Sequence, residues 1–537
     1  MHKRALWASV AVAVTTIPAA AWGGGLYFSE RGVRPLARGG AFVAGADDLG
    51  AIWYNPAGVY DAGDEFLLDA TWLHFETQHQ RRAIVEQSDP NTGAVVARYE
   101  QTFEPVDGVS PVLPIPTIAG SFRPHPDWAV AFGVLAPDAA ITSFPEELDG
   151  GPAPQRYALI TLDGSLLLVA GAWAAWAPVP EVRVGLGVEA LVGKFVSTVM
   201  SSACIPDRFF CAQEQPSWDS EAQLAAGPIF APSANLGATF LPHPEVRLGL
   251  GFHLPFWVRA PGSFVARLPS TPVFETAYQE GSDVSVAFDL PWTLHLGVEW
   301  RPVERLRLEL SGSVEGWSMH DSITVTPEGA ALRGVVGLPD PYYIPTQVIP
   351  RGFQESGSVR LGGEYGIPIE TYQLDVRGGL GFETSAIPSE YLSALTVDMN
   401  KVTLGMGVGF HVAGWRFDLT YAHIFGLDVD VDPETAQIPL LTPVNANMPA
   451  RPHTINGGSY SANANLLGVG LTHQFDYVDP AAAPAPDDEP GAAPPGVSPG
   501  DAAAPDADGG ADAAPEDGDA PPPPKKKPPK HEVPDDE

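Results

Sequence analysis

The chain has 537 residues and carries 30 Lys and Arg against 65 Asp and Glu, a formal net charge of -35. So acidic a protein has little with which to neutralise phosphates, which argues against a nucleic-acid partner. Its apolar residues are patterned for strands rather than for helices, as the chain order shows.

The N-terminus reads as a secretory signal. His2, Lys3 and Arg4 precede an apolar run over residues 5–17, and small residues follow to Ala21. This pattern predicts a signal peptide over 1–21, removed on export. No other stretch approaches the roughly 18 uninterrupted apolar residues of a membrane helix, so export into the periplasm, beyond it, or into an outer membrane as a barrel is expected. Residues 22–63 are rich in Gly and weakly patterned, with no strand long enough to cross a bilayer.

Period-2 alternation begins at Phe66. Fourteen segments follow, at about 66–80, 114–123, 128–136, 164–177, 182–198, 228–241, 246–258, 286–301, 305–317, 356–366, 372–383, 400–412, 415–425 and 462–475. Several are joined by near copies of one Pro-led turn, seen at Arg123–Trp128, Ala177–Val182, Leu241–Val246 and Arg301–Leu306, with weaker copies at 367–370 and 413–415. The other connections are long: 81–113, 137–163, 199–227, 259–285, 318–355, 384–399 and 426–461. Short turns at one end and long loops at the other, with an even strand count, predict an all-β, 14-stranded antiparallel transmembrane barrel. By the usual rule both ends of the barrel domain, 64–475, face the periplasm and the long loops face outward.

The alternation assigns faces. Leu294, Leu296, Val298 and Trp300 oppose His295, Gly297, Glu299 and Arg301; Val402, Leu404, Met406 and Val408 oppose Thr403, Gly405, Gly407 and Gly409. The uncharged faces run for about ten residues, the height of a bilayer, where each Lys or Arg at the midplane would cost about 2–4 kcal/mol. A water-soluble sandwich alternates too, with its apolar face inward. Trp128, Trp176, Trp257, Trp300, Trp317, Trp415, Tyr421 and Phe475 at strand ends favour the membrane reading.

Cys204 and Cys211 share one predicted long loop, and in an exported chain they are candidate disulfide partners rather than metal ligands. Residues 476–537 hold Pro, Ala, Gly and Asp with almost nothing to bury, and are expected to be a disordered periplasmic tail. The Lys-bearing polyproline run at 521–530 offers a cell-wall contact, with a plain solubilising extension as the simpler reading.

No nucleophile–base–acid set, phosphate loop or metal spacing emerges, so neither enzyme nor cofactor nor metal is expected. The lumen face carries Arg183, Glu189, Arg247, Glu299, Arg307, Glu309, Arg360, Glu364, Asp375, Arg377, Lys401, Arg416 and Asp418. Most are expected to pair across neighbouring strands. Arg307, Arg360 and Arg377 are candidates to hold a ligand carboxylate, with Glu309, Glu364 and Asp375 as the competing partners.

Between the signal and the first strand stand Gly32-Val33-Arg34-Pro35-Leu36-Ala37-Arg38-Gly39-Gly40-Ala41-Phe42 and Ile52-Trp53-Tyr54-Asn55-Pro56-Ala57-Gly58. This stretch, with Leu290–Pro302, Arg377-Gly378-Gly379 and Ile387-Pro388-Ser389, resembles the FadL/TodX family of outer-membrane transporters for long-chain fatty acids and hydrocarbons, over about residues 24–475. The resemblance implies a hatch in the lumen, with Asn55, Pro56 and Ala57 as its turn. It further implies capture of a hydrophobic ligand at the outer loops, a lumenal pocket, and sideways release into outer-membrane lipid. Gly133 and Pro137, on and just beyond the short third strand, are the candidates for that lateral gap. A structural barrel tied to the wall by its tail, or an outer-membrane enzyme, are the alternative readings.

Overall fold

The computed structural model describes residues 30–475 apart from 90–94, 112–113, 137, 140, 205–210, 443 and 445–452, together with the backbone at 23–24 and 27–28. The signal at 1–21, Pro137 and the tail at 476–537 lie outside the described residues.

The chain forms a closed 14-stranded antiparallel barrel. Its strands are β1 Glu65–Ser88, β2 Pro114–His125, β3 Trp128–Leu135, β4 Leu166–Val179, β5 Val182–Ser202 and β6 Asp219–His243. β7 runs over Val246–His253 and resumes at Phe256–Arg267; β8 runs over Asp283–Leu290 and Thr293–Val303. Then come β9 Leu306–Glu315, β10 Ser356–Ile369, β11 Tyr372–Ser385, β12 Lys401–Val412, β13 Trp415–Gly426 and β14 Gly458–Gln474. The seam closes where β14 pairs with β1, from Gly458↔Arg81 to Gln474↔Glu65.

Six connections are two-residue hairpin turns, closed by the pairs His125↔Trp128, Val179↔Val182, His243↔Val246, Val303↔Leu306, Ile369↔Tyr372 and Val412↔Trp415. All lie at one end of the barrel. At Ala413 and Gly414 both φ angles are positive, 47° and 81°, which suits the right-handed strand twist at so tight a turn. Trp128 and Trp176 stack at 5.6 Å beside these turns, one patch of an interfacial aromatic belt.

The strands differ from the alternation pattern in two ways. β1 and β6 continue well past the bilayer-spanning stretch, because the long loops keep pairing above the membrane. β7 and β8 each break once, at Pro255 and Pro291, where proline has no N–H to give to the ladder. The outer face carries the large apolar side chains, among them Leu296, Val298 and Trp300, while His295 and Glu299 of the same strand are buried inside.

Inside the barrel, at its short-turn half, sits a compact segment of three short helices, α1 Val33–Ala37, α2 Ala51–Tyr54 and α3 Val59–Ala62, with a 3₁₀ turn at Pro56–Gly58. Gly39 and Gly40 turn the chain between α1 and α2 with φ of 62° and 80°, angles that a side chain would resist. At the other end the loops pack on one another. Phe144, Tyr157, Leu159, Ile438, Leu440 and Ile455 form a buried apolar cluster that caps the lumen. Cys204 and Cys211 form a disulfide in this capping region.

Candidate functional site

The hatch is held by its backbone as much as by its side chains. Where it meets the wall, the lumen positions are glycine. A Cβ on Gly249 would lie 2.6 Å from Ala44, one on Gly185 2.3 Å from Ala57 N, and one on Gly379 2.0 Å from Arg38 O. Real Cβ contacts do not reach such distances, so only glycine lets the two backbones touch. Each stands two residues after an arginine expected on the lumen face, Arg247, Arg183 and Arg377.

Asn55 fixes the central turn. Its Nδ2 donates to Val43 O at 3.0 Å, to Thr239 Oγ1 at 3.0 Å and to Ala238 O at 3.2 Å, and its Oδ1 accepts from Ala57 N at 3.2 Å. One buried amide thus ties the hatch to itself and to β6. Pro56 opens the 3₁₀ turn, and Ala57 lies buried against the glycines of β5 and β6.

A chain of buried charges does the rest. Arg34 of α1 meets Asp47 at 2.8 Å, Asp48 at 3.0 Å and Glu364 of β10 at 2.9 Å. Arg38 meets Glu309 of β9 at 2.9 Å and Glu299 of β8 at 3.3 Å, with all three side chains fully buried. Glu309 also accepts from the backbone N–H groups of Val43, Ala44 and Gly45 at 2.6, 3.0 and 3.0 Å. Successive amides converging on one carboxylate make an anion nest. Asp61 of α3 receives Arg183 and Arg247 at 2.7 and 2.6 Å. Val33 bridges the barrel seam: its N–H donates to Asp69 of β1 at 2.8 Å, and its carbonyl accepts from Thr420 of β13 at 2.9 Å.

This chain contains all three arginines singled out as carboxylate candidates. Arg307 meets Asp47 at 2.9 Å, Glu299 at 3.0 Å and Glu364 at 3.4 Å, and donates to Gly45 O at 2.8 Å. Arg360 meets Glu383 at 2.8 Å and Glu30 at 3.3 Å. Arg377 sits between Glu364, Asp375 and Asp418. Of the three competing partners, Glu364 meets Arg307 and Arg377 and Asp375 meets Arg377; the others come from the hatch, from adjoining strands and, for Arg377, from β13 two strands away. Glu309 does not meet Arg307 but serves the hatch.

The apolar space lies elsewhere, between hatch and loops. A cavity of about 400 Å³ has Arg31 and Trp53 on its walls at the hatch, with Phe195, Leu224, Phe256 and Phe288 around it. Its roof is the loop at 394–397. No carboxylate lines it among the described residues, and its wall is overwhelmingly apolar. The size falls in the roughly 300–1,000 Å³ range of small-molecule pockets. A second apolar space of about 100 Å³ lies among the loops, and shares Leu224 and Leu395 with the first.

One side of the large cavity meets a break in the barrel wall. β3 ends at Leu135, which pairs with Thr117 of β2 and Val169 of β4. Beyond that rung, among the described residues, only Ala136 N reaches Pro116 O, at 3.0 Å, while Leu166, Leu167 and Leu168 continue to pair with β5 alone. Pro114 and Pro116, on the facing edge, have no N–H to offer. Above the break, the bridges Val109↔Ser143 and Ser143↔Thr161 close the wall again. Pro114, Pro116, Ala136, Leu166, Leu167 and Leu168 all line the cavity. Gly133 lies inside the paired ladder, opposite Ala119 and Gly171, two residues below the break.

Residues 12–475 match a family model described as outer membrane protein transport protein (OMPP1/FadL/TodX). No curated protein matches by sequence. Among solved structures, a Pseudomonas aeruginosa FadL homologue superposes with a TM-score of 0.62 at 13% identity, over 84% of this chain and 100% of that one. The Pseudomonas putida toluene transporter TodX gives 0.54 at 13% identity, again over 84% of this chain and 100% of that one. At such identities the likeness is one of fold.

Proposed function

The chain belongs to the outer membrane protein transport family OMPP1/FadL/TodX, and from that premise we propose that it admits long-chain fatty acids passively through the side of its barrel. The family's members are outer-membrane β-barrel transporters of hydrophobic compounds. The observation that carries the reading is the coincidence of an apolar cavity with the break above Leu135. A hydrophobe that leaves through this break enters lipid without crossing water, whereas the route down the lumen is filled by a hatch held through buried charges. On this reading the ligand is captured among the long loops outside the cell, settles above Trp53, and leaves past Ala136 into the outer leaflet. The signal at 1–21 is removed and both barrel ends face the periplasm. Arg307 and Arg360 then serve as hatch anchors, Arg377 braces Glu364 of the wall, and any ligand contact they make is indirect.

Two measurements test this. Mass spectrometry of lipids extracted from the purified protein identifies the class carried; recovery of fatty acids supports the reading, and recovery of monoaromatic compounds alone replaces it. Ala136→Trp fills the break. Uptake of labelled hexadecanoate by whole cells should then fall at least tenfold while binding to purified protein persists. Unchanged uptake removes the lateral route.

A further inference from the structure

Arg351 stands apart from the arginines of the hatch and of the wall around it. Each of those lies beside at least one carboxylate, as Arg34, Arg38, Arg307, Arg377 and Arg416 do. Arg351 is 1% exposed and has no carboxylate within 4.0 Å among the described residues. Its Nη2 donates to Thr396 Oγ1, its Nε has no hydrogen-bond partner, and its guanidinium lies 5.0 Å from the Phe353 ring centroid. The backbone holds it there, since Arg351 N and Gly352 N both donate to Asp321 O, at 2.7 and 3.2 Å.

Its place matters more than its isolation. Arg351 lines the small cavity among the loops, and its partner Thr396 lines the large one. Leu224 and Leu395 belong to both linings, so the guanidinium sits at the junction on the path from loops to lumen. Among the described residues neither lining contains an Asp or Glu. A buried cation without a counter-ion is strongly disfavoured. Burial with no carboxylate nearby pulls the pKa of Arg351, which lies outside the spanning strands, down to about 10, still charged at neutral pH. Arg31, the other guanidinium on these walls, is placed differently: it stacks over Trp53 at 4.9 Å and donates to the Glu30 carbonyl at 2.8 Å.

We propose that Arg351, with the Thr396 hydroxyl, is the subsite that holds the carboxylate of a long-chain monocarboxylate while its apolar chain descends into the large cavity. The inference rests on the transport reading above and gives it a headgroup site. Arg suits a carboxylate because two N–H groups can meet two oxygens in one plane. A neutral hydrocarbon gains nothing from it, so the junction selects charged from uncharged ligands of equal length.

The test compares hexadecanoate with its methyl ester on the full-length protein in detergent. The unmodified protein should bind both. Arg351→Met should weaken hexadecanoate about tenfold or more, the value of a lost charge-assisted pair, and leave the ester within about twofold. Arg351→Lys should recover part of the loss. With no ligand present, Arg351→Met should leave the thermal transition unchanged or raise it, because it removes an uncompensated charge. Equal weakening of both ligands, or acid selectivity that disappears in Arg31→Met and persists in Arg351→Met, overturns the proposal. If the unmodified protein binds neither ligand, the transport reading itself fails, a distinguishable outcome.

Discussion

Glu309 takes four hydrogen bonds from the hatch, and its removal gives a calculable result. The carboxylate accepts from three hatch N–H groups and from Arg38. Glu309→Ala strands three buried donors, at about 1–3 kcal/mol each, and weakens a buried ion pair whose rupture costs about 3–5 kcal/mol. Arg38 keeps Glu299 at 3.3 Å, and water can fill part of the vacated space, so the net effect falls near the lower end, roughly 5 kcal/mol. That raises the population of a released hatch by roughly several thousandfold. The barrel, closed by its own ladders, should survive. Trypsin reads the change, because Arg31 and Arg38 are buried and should be cut only when the hatch leaves its seat. Heat-modifiable migration on a detergent gel reports that the barrel is intact. Glu309→Gln keeps one acceptor oxygen and should accelerate cutting by a smaller factor. If Glu309→Ala is cut at Arg38 within tenfold of the unmodified rate, with the barrel intact, the nest is not what seats the hatch.

Three further perturbations follow the same logic. Asn55→Ala with Pro56→Ala removes four hydrogen bonds and a fixed φ at the hatch turn, so uptake should change while heat-modifiable migration persists; identical uptake kinetics would reduce the motif to a generic turn. Gly249→Val places side-chain atoms where Ala44 backbone stands, and the purified variant should expose Arg38 to trypsin as Glu309→Ala does, whereas Gly378→Val, whose Cβ would meet nothing closer than 4.0 Å, should not. In intact cells, external protease should cut only within long loops, and a cut between Pro124 and Trp128 would reverse the orientation.

The barrel was legible because lipid imposes one rule on every strand. Leu296, Val298 and Trp300 must face outward together, and period-2 alternation records that directly. The turn at Asn55-Pro56-Ala57 was legible for a different reason: few residues supply that geometry, and they stand adjacent in the chain. The charges were harder. Arg34 and Glu364 are 330 positions apart, Arg416 and Asp48 368, and only the seating of the hatch brings them together. A reading confined to the wall offers Glu309 to the wall arginines and misses the amides of Val43, Ala44 and Gly45. The strand breaks at Pro255 and Pro291 could have been read from proline's missing donor. The cavity could not, because its walls come from strand ends and loops whose meeting depends on tertiary packing, and Arg351 looks like any other loop arginine until its surroundings are known.

Val33 holds Asp69 of β1 with its N–H and Thr420 of β13 with its carbonyl, one residue spanning the last seam of the barrel to close. β1 is made early in synthesis and β14 last, so the seam unites the two ends of the domain. Only the closed cylinder brings both partners within reach of that one residue. Once β14 pairs with β1, glycine-lined walls surround the hatch. A cylinder closed around an empty lumen would leave Asp69 and Glu309 without the hatch partners they have here, and would be less stable than its filled counterpart.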